Sequence, residues 1–164
     1  MDAMFHRSSI RKFQNRPVEE AKIRKILKAA MQAPSAGNQQ PWEFYIVTDE
    51  ARKKALSQVS PYAGCAAQAP AVIITAYRTQ GAAFPVYAQI DTAIAETFLW
   101  LAADAAGLGG VWLGIAPQEE RMTQVEAILD LPRDQRAFAL FPIGYPAETK
   151  AHEDRFDPSR IHFI

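Results

Sequence analysis

Apolar and polar positions fall into blocks along this chain, and each block has the period of one kind of element. After Arg16, the residues Ile23, Ile26, Leu27, Ala30 and Met31 recur at the three- and four-residue spacing of a helix that buries one face. Pro17 suits its first position, Glu19 and Glu20 suit the positive end of its dipole, and Pro34 predicts a stop before that residue. Trp42–Val47 is rich in strand formers, and a short helix is expected over about 50–59. Ala71–Tyr77 is a continuous apolar run of strand length, which predicts a central strand buried on both faces. The longest helix is expected over about 87–106, closed by Gly107, with Ile90, Ala93, Ile94, Phe98, Leu101, Ala102 and Ala105 turned inward. Phe98, Leu99, Trp100 and Leu101 are consecutive, so this helix is apolar around much of its circumference. That predicts burial on more than one side, the second by another subunit. Gly110–Ile115 reads as a strand, Glu119–Leu129 as a helix and Ala137–Gly144 as a further strand. Helices and strands alternate without a clean βαβ rhythm, which is the signature of an α+β fold.

The chain has 164 residues, a length that favours a single domain able to bury about 69% of its extended surface. Hydrophobic residues make up 49% and charged residues 22%, which excludes a disordered or low-complexity chain. Lys plus Arg equals Asp plus Glu at 18 each, so no net charge draws the protein to nucleic acid or to an anionic membrane. The longest stretch without a charged residue, Ala55–Tyr77, is broken by Pro61, Gly64 and Pro70, and a cytoplasmic protein is expected. Cys65 is the sole cysteine, and His6, His152 and His162 do not space as zinc ligands, so no metal site is expected. Ile161, Phe163 and Ile164 near the end of the chain are apolar and call for a surface to cover them.

Three places carry candidate chemistry. Arg7-Ser8-Ser9-Ile10-Arg11 places two guanidinium groups and two hydroxyls within five residues, a donor set suited to phosphate, although a solvated basic arm has the same look. The segment Pro34-Ser35-Ala36-Gly37-Asn38-Gln39-Gln40-Pro41 combines small residues with donors and acceptors, and serves equally as a binding loop or a plain connector. Gly107-Leu108-Gly109-Gly110 imitates a dinucleotide fingerprint but follows a helix and precedes a strand, the reverse of the required order. No Gly-x-Ser-x-Gly elbow, Walker loop or His-Glu-x-x-His motif occurs. Asp91 and Glu96 stand five apart on the long helix and do not form an acid/base pair; solvent or interface contacts are expected for both. If the protein is an enzyme, a cofactor carries the chemistry.

In order, Arg7–Phe13, Pro34–Trp42, Gly107-Leu108-Gly109 with Trp112-Leu113-Gly114, and Ile143-Gly144-Tyr145-Pro146 resemble the nitroreductase family of FMN-dependent oxidoreductases. The resemblance covers nearly the whole chain. It implies an α+β fold with a mainly antiparallel sheet and an intertwined homodimer with FMN at the interface. The C-terminal arm, about 147–164, would reach the partner. By the resemblance, Arg7, Ser8, Ser9 and Arg155 hold the FMN phosphate and ribityl chain, and Arg11 lies at the N1/O2 edge of the ring. Pro34, Ser35, Ala36 and Asn38 come from the other subunit to cover the ring, with Gln40 nearby, and Trp112, Leu113 and Gly114 pass its pyrimidine and N5 side. The implied activity is a ping-pong reduction, in which NADH or NADPH gives hydride to the flavin and a nitroaromatic, quinone or similar small acceptor then takes two electrons at the same place. No protein side chain is expected to be catalytic. Only Arg78–Pro85 separates the central strand from the long helix, leaving no room for the excursion that covers the substrate side in larger members. A flavin-binding redox sensor or storage protein, or a specialised member such as a reductive dehalogenase, are the alternatives.

Overall fold

The computed structural model describes residues 2–151 and 153–164, so His152 lies outside the described residues. Helices α1 (Asp2–His6), α2 (Glu20–Ala30), α3 (Glu50–Leu56), α4 (Ala88–Ala105) and α5 (Glu119–Leu129) surround one sheet. Its strands are β1 (Trp42–Val47), β2 (Ala71–Arg78), β3 (Gly109–Gly110), β4 (Leu113–Gly114) and β5 (Gln135–Gly144). The order is β1-β2-β5-β3, with β4 also on β5, and every named pairing is antiparallel. This is an α+β architecture.

Two apolar layers hold the sheet. Ile23, Ile26, Leu99, Ala103, Ile73 and Phe141 close the space between the sheet and α2 with α4. On the opposite face, Leu56, Met122, Val125, Ile74, Ile115 and Leu140 pack α3 and α5 down. With helices on both faces, β2 is buried along seven of its eight residues, which is why Ala71–Tyr77 is apolar without alternation.

Three elements differ from the sequence reading. Helix α2 begins at Glu20, one residue after its N-cap Glu19, so Pro17 lies outside it. Helix α3 ends at Leu56 and not near Val59. The strand expected over 110–115 is split in two. Gly109 pairs with Gly144, Gly110 with Ile143, Leu113 with Leu140 and Gly114 with Ala139, one unbroken register. Within it Val111 stands opposite Pro142, which has no N–H to give, and the ladder is interrupted there.

The long helix is the largest correction. Its buried face is Ala88, Asp91, Thr92, Ala95, Glu96, Leu99 and Ala103, whereas Ile90 and Phe98 from the expected inward stripe are exposed. Asp91 and Glu96 are inside and part of the apolar stripe is outside. Periodicity found two faces of similar apolarity and had no means to rank them.

Candidate functional site

The segment after α1 is fixed by the two glycines of β3. Ile10 N–H donates to the Gly110 carbonyl at 3.0 Å, and Ser9 bridges Gly110 in parallel. A Cβ on Gly109 would lie 2.7 Å from the Ile10 side chain, so only glycine admits the segment this closely. Arg7 therefore lies across the end of α4, its guanidinium 4.0 Å from the centre of the Trp100 ring. Burial lowers its basicity, the charge of Arg155 lowers it further, and Asp104 opposes both. Arg155 is exposed on the C-terminal tail, with Glu153 at 3.5 Å. Arg7, Ser8 and Arg155 line one cavity of about 640 Å³ together with Met4, Phe5 and Phe156. Glu153 and Asp154 line the same cavity, so its two guanidinium groups and serine supply donors suited to an anion within a rim of mixed charge.

Arg11 lies further along the same segment. Its backbone N–H and that of Lys12 both donate to Glu148 Oε1, at 2.6 and 3.1 Å. Those two bonds hold the Glu148 carboxyl below the ordinary carboxylate range, against burial. The Arg11 charge also reaches Cys65, whose thiol burial pushes up and Arg11 draws down. The net shift is upward, so Cys65 is a thiol and not an activated nucleophile.

The Pro34–Gln40 loop is built on left-handed backbone, with φ of 55° at Gly37, 54° at Asn38 and 46° at Gln40. Ser35 Oγ accepts from Gln40 N–H at 3.0 Å, and Gln40 Nε2 donates to Asn38 Oδ1 at 3.2 Å. From outside the loop, buried Asp91 accepts from Ala36 N–H at 3.0 Å and from Gln39 Nε2 at 2.6 Å. Pro34, Asn38 and Gln40 are exposed, and Ser35 and Ala36 are half-buried. Leu113 is buried, Trp112 is half-buried against Phe138 at 5.6 Å between rings, and Gly114 is exposed.

Within one chain these parts do not all meet. Asp91 holds the loop near the start of α4, while Arg7 lies on Trp100 near its end. Nine residues of helix separate the two anchors, about 14 Å at 1.5 Å per residue. The structure thus groups Arg7, Ser8, Ser9 and Arg155 at one end of α4 and Pro34, Ser35, Ala36, Asn38 and Gln40 at the other. Asp91, Gln39, Trp100 and Glu148 hold these groups in place, and sequence reading had missed their roles. The signal for Asp91 was present: a carboxylate on an otherwise apolar helix needs donors. Its donors, Ala36 and Gln39, lie 55 and 52 residues earlier, which no local pattern reveals. Among the described residues, no group of His, Cys, Asp and Glu could hold a metal ion, and no helix is long and apolar enough to cross a membrane.

Known proteins are similar to this chain in sequence and fold. A protein of Methanothermobacter thermautotrophicus that carries the provisional name NADH dehydrogenase/NAD(P)H nitroreductase is 38% identical over 99% of this chain and 85% of its own length. The 5,6-dimethylbenzimidazole synthase of Rhodospirillum rubrum is 30% identical over 90% of this chain and 82% of its own. The solved structure of an FMN-dependent nitroreductase from Clostridium difficile R20291 superposes with a TM-score of 0.91 at 28% identity, covering 99% of this chain and 98% of that one. The family model described as the nitroreductase family matches residues 4–63 and 60–145. That span takes in the Arg7 segment, the Pro34–Gln40 loop, the α4–β4 turn and Tyr145, and it makes this chain a member of the nitroreductase family.

Proposed function

We propose that this protein is an FMN-dependent NAD(P)H oxidoreductase that reduces nitroaromatics, quinones or similar small acceptors as an intertwined homodimer. The observation that carries the reading is the pair Arg7 and Arg155 on one cavity beside Ser8, two cations in reach of a terminal phosphate, with Glu153 and Asp154 on the same rim. Residues 1–164 act as one FMN-binding unit, and the arm over about 147–164 reaches the partner subunit.

Arg7, Ser8, Ser9 and Arg155 hold the phosphate and ribityl chain. Arg11 stabilises negative charge at the N1/O2 edge of the ring, and Glu148 fixes the backbone that carries it. Trp112, Leu113 and Gly114 line the pyrimidine and N5 side. Pro34, Ser35, Ala36 and Asn38 of the second subunit cover the ring, with Gln40 nearby. When bound, FMN supplies the two-electron exchange between NAD(P)H and the acceptor. The protein supplies binding, orientation and electrostatics, and no side chain is asked to act as acid or base. A single place that must admit a nicotinamide and then an unlike acceptor is open and weakly selective. Work in the cytoplasm, where reduced nicotinamide is abundant, fits this role.

Purified protein tests the reading directly. It should be yellow, release FMN on heating, bleach with NADH or NADPH without air, and regain colour with menadione or nitrofurazone. Release of FAD as the dominant flavin, or absence of flavin uptake, overturns the cofactor. Bleaching with no reoxidation by any acceptor identifies a redox sensor or storage protein instead.

A further inference from the structure

We infer that Asp91 and Gln39 are positioning residues of the flavin site, which hold the Pro34–Gln40 loop in one shape and join it through Phe84 to the connector between β2 and α4. The inference rests on the functional reading above and concerns how that site is kept ready.

Asp91 is 3% exposed, and each of its carboxylate oxygens takes a donor from the loop. Gln39 Nε2 is shared between Asp91 and the Phe84 carbonyl, at 2.6 and 3.0 Å. The same amide accepts from Phe84 N–H through Oε1 at 2.9 Å. One side chain thereby satisfies both backbone groups of Phe84, as a paired strand does. The Phe84 ring then closes on Gly37, where a Cβ would lie 2.4 Å from it.

The loop needs such restraint. Asn38 and Gln40 hold a left-handed backbone that residues with a Cβ adopt at a cost, and a free loop would relax from it. Its exposed tip is the part that must meet a flat ring, so its shape has to exist before the flavin arrives. The sheet and α4 are packed by their own apolar layers, whereas the loop and Phe84 meet α4 through Asp91 and Gln39. Through Phe84 the connector and the loop are tied to each other by two hydrogen bonds and the ring contact on Gly37.

The variants D91N and Q39L test this in the protein with and without FMN. In flavin-free protein, D91N places an amide against the Gln39 amide, and exchange of the backbone amides over 36–40 should rise about tenfold or more. Amides of β2 and β5 should exchange as in the parent. With FMN, each variant should bind the flavin about tenfold more weakly and leave its ring more fluorescent. The double variant D91N/Q39L should lose about as much as one single variant, because both act through one network. Unchanged exchange over 36–40 overturns the proposal, and so do losses that multiply in the double variant or a bound flavin with parental affinity and fluorescence. Q39L keeps the test open if D91N does not fold, since Gln39 is not in the core. A parent protein that takes up no FMN overturns the functional reading, while exchange in the flavin-free protein still decides the Asp91 anchor.

Discussion

Glu96 is fully buried in the middle of α4, where its Oε2 pairs with the Thr75 hydroxyl and its Oε1 has no hydrogen-bond partner among the described residues. Across the sheet, Thr75 stands between Phe44 on β1 and Ala139 on β5, so neither strand sets a charge beside it. Burial pushes the carboxyl up to about 7, against the Thr75 bond. At pH below the ordinary carboxylate value of 4.5 both folded and unfolded chains keep the proton, and Glu96 does not lower stability by ionising. Between 4.5 and about 7 the unfolded chain releases it while the folded chain retains it, so stability falls as pH rises. Above that the deficit is constant, about 3 kcal/mol. Glu96→Gln should therefore be more stable than the parent at pH 8, near parental stability at pH 4.5, and flatter between, as urea denaturation across pH would measure. A parental slope that survives the substitution assigns it to another group. The spacing of Asp91 and Glu96 shows only that they do not face each other; a helix buried over a broad arc hides both. Toward the end of α4, Arg7→Ala removes the stacking on Trp100 and, on the proposed function, a charge-assisted bond to phosphate; it should weaken FMN binding by about 2–3 kcal/mol in a flavin titration. Parental affinity would contradict the phosphate assignment.

At the level of elements, the sequence displays what is periodic and hides what is relational. Trp42–Val47 and Glu119–Leu129 match their expected ranges because each carries its own pattern, and Ala71–Tyr77 is one residue short of β2. The candidate segments were legible for a similar reason: small residues and clustered donors are visible locally. What Asp91 does, which face of α4 is inner, and why Gly109 and Gly110 are glycines all depend on residues distant in the chain. Gly110 offers a direct test. A Cβ there would meet the Phe141 ring at 2.4 Å and the Pro142 carbonyl at 2.8 Å, both in the sheet interior. Gly110→Ala should lower stability by about 1–3 kcal/mol and displace Ser9, which bridges Gly110. Gly114→Ala, where a Cβ meets nothing within 4 Å among the described residues, should stay within about 0.5 kcal/mol. Urea denaturation of the pair decides it: equal stabilities would mean that β3 yields where the close contacts say it cannot.

For the whole molecule, surface area and apolar exposure point the same way. A compact monomer of 18.2 kDa exposes about 8,100 Å², whereas this chain exposes 9710 Å². Much of its outer surface is apolar: Ile90 and Phe98 on α4, Met4 and Phe5 on α1, and Phe156, Ile161, Phe163 and Ile164 on the tail. Phe163 is 97% exposed, a placement that water opposes at about 25 cal/mol for each Å² left uncovered. In the proposed homodimer a second copy would cover these surfaces and bring its Pro34–Gln40 loop to the opposite flavin. A permanent interface of this kind buries more than about 2,000 Å². On that proposal dimer and flavin site are one construction, and losing either should loosen the other. Truncation after Phe156 removes Ile161, Phe163 and Ile164 but keeps Arg155 in the chain. It should shift the protein toward monomer and release FMN in the same concentration range. Sedimentation followed at the flavin wavelength reads both at once, with mass from the boundary and occupancy from the absorbance. A truncated monomer that still carries flavin and turns over at micromolar concentration would separate the two and refute the coupling.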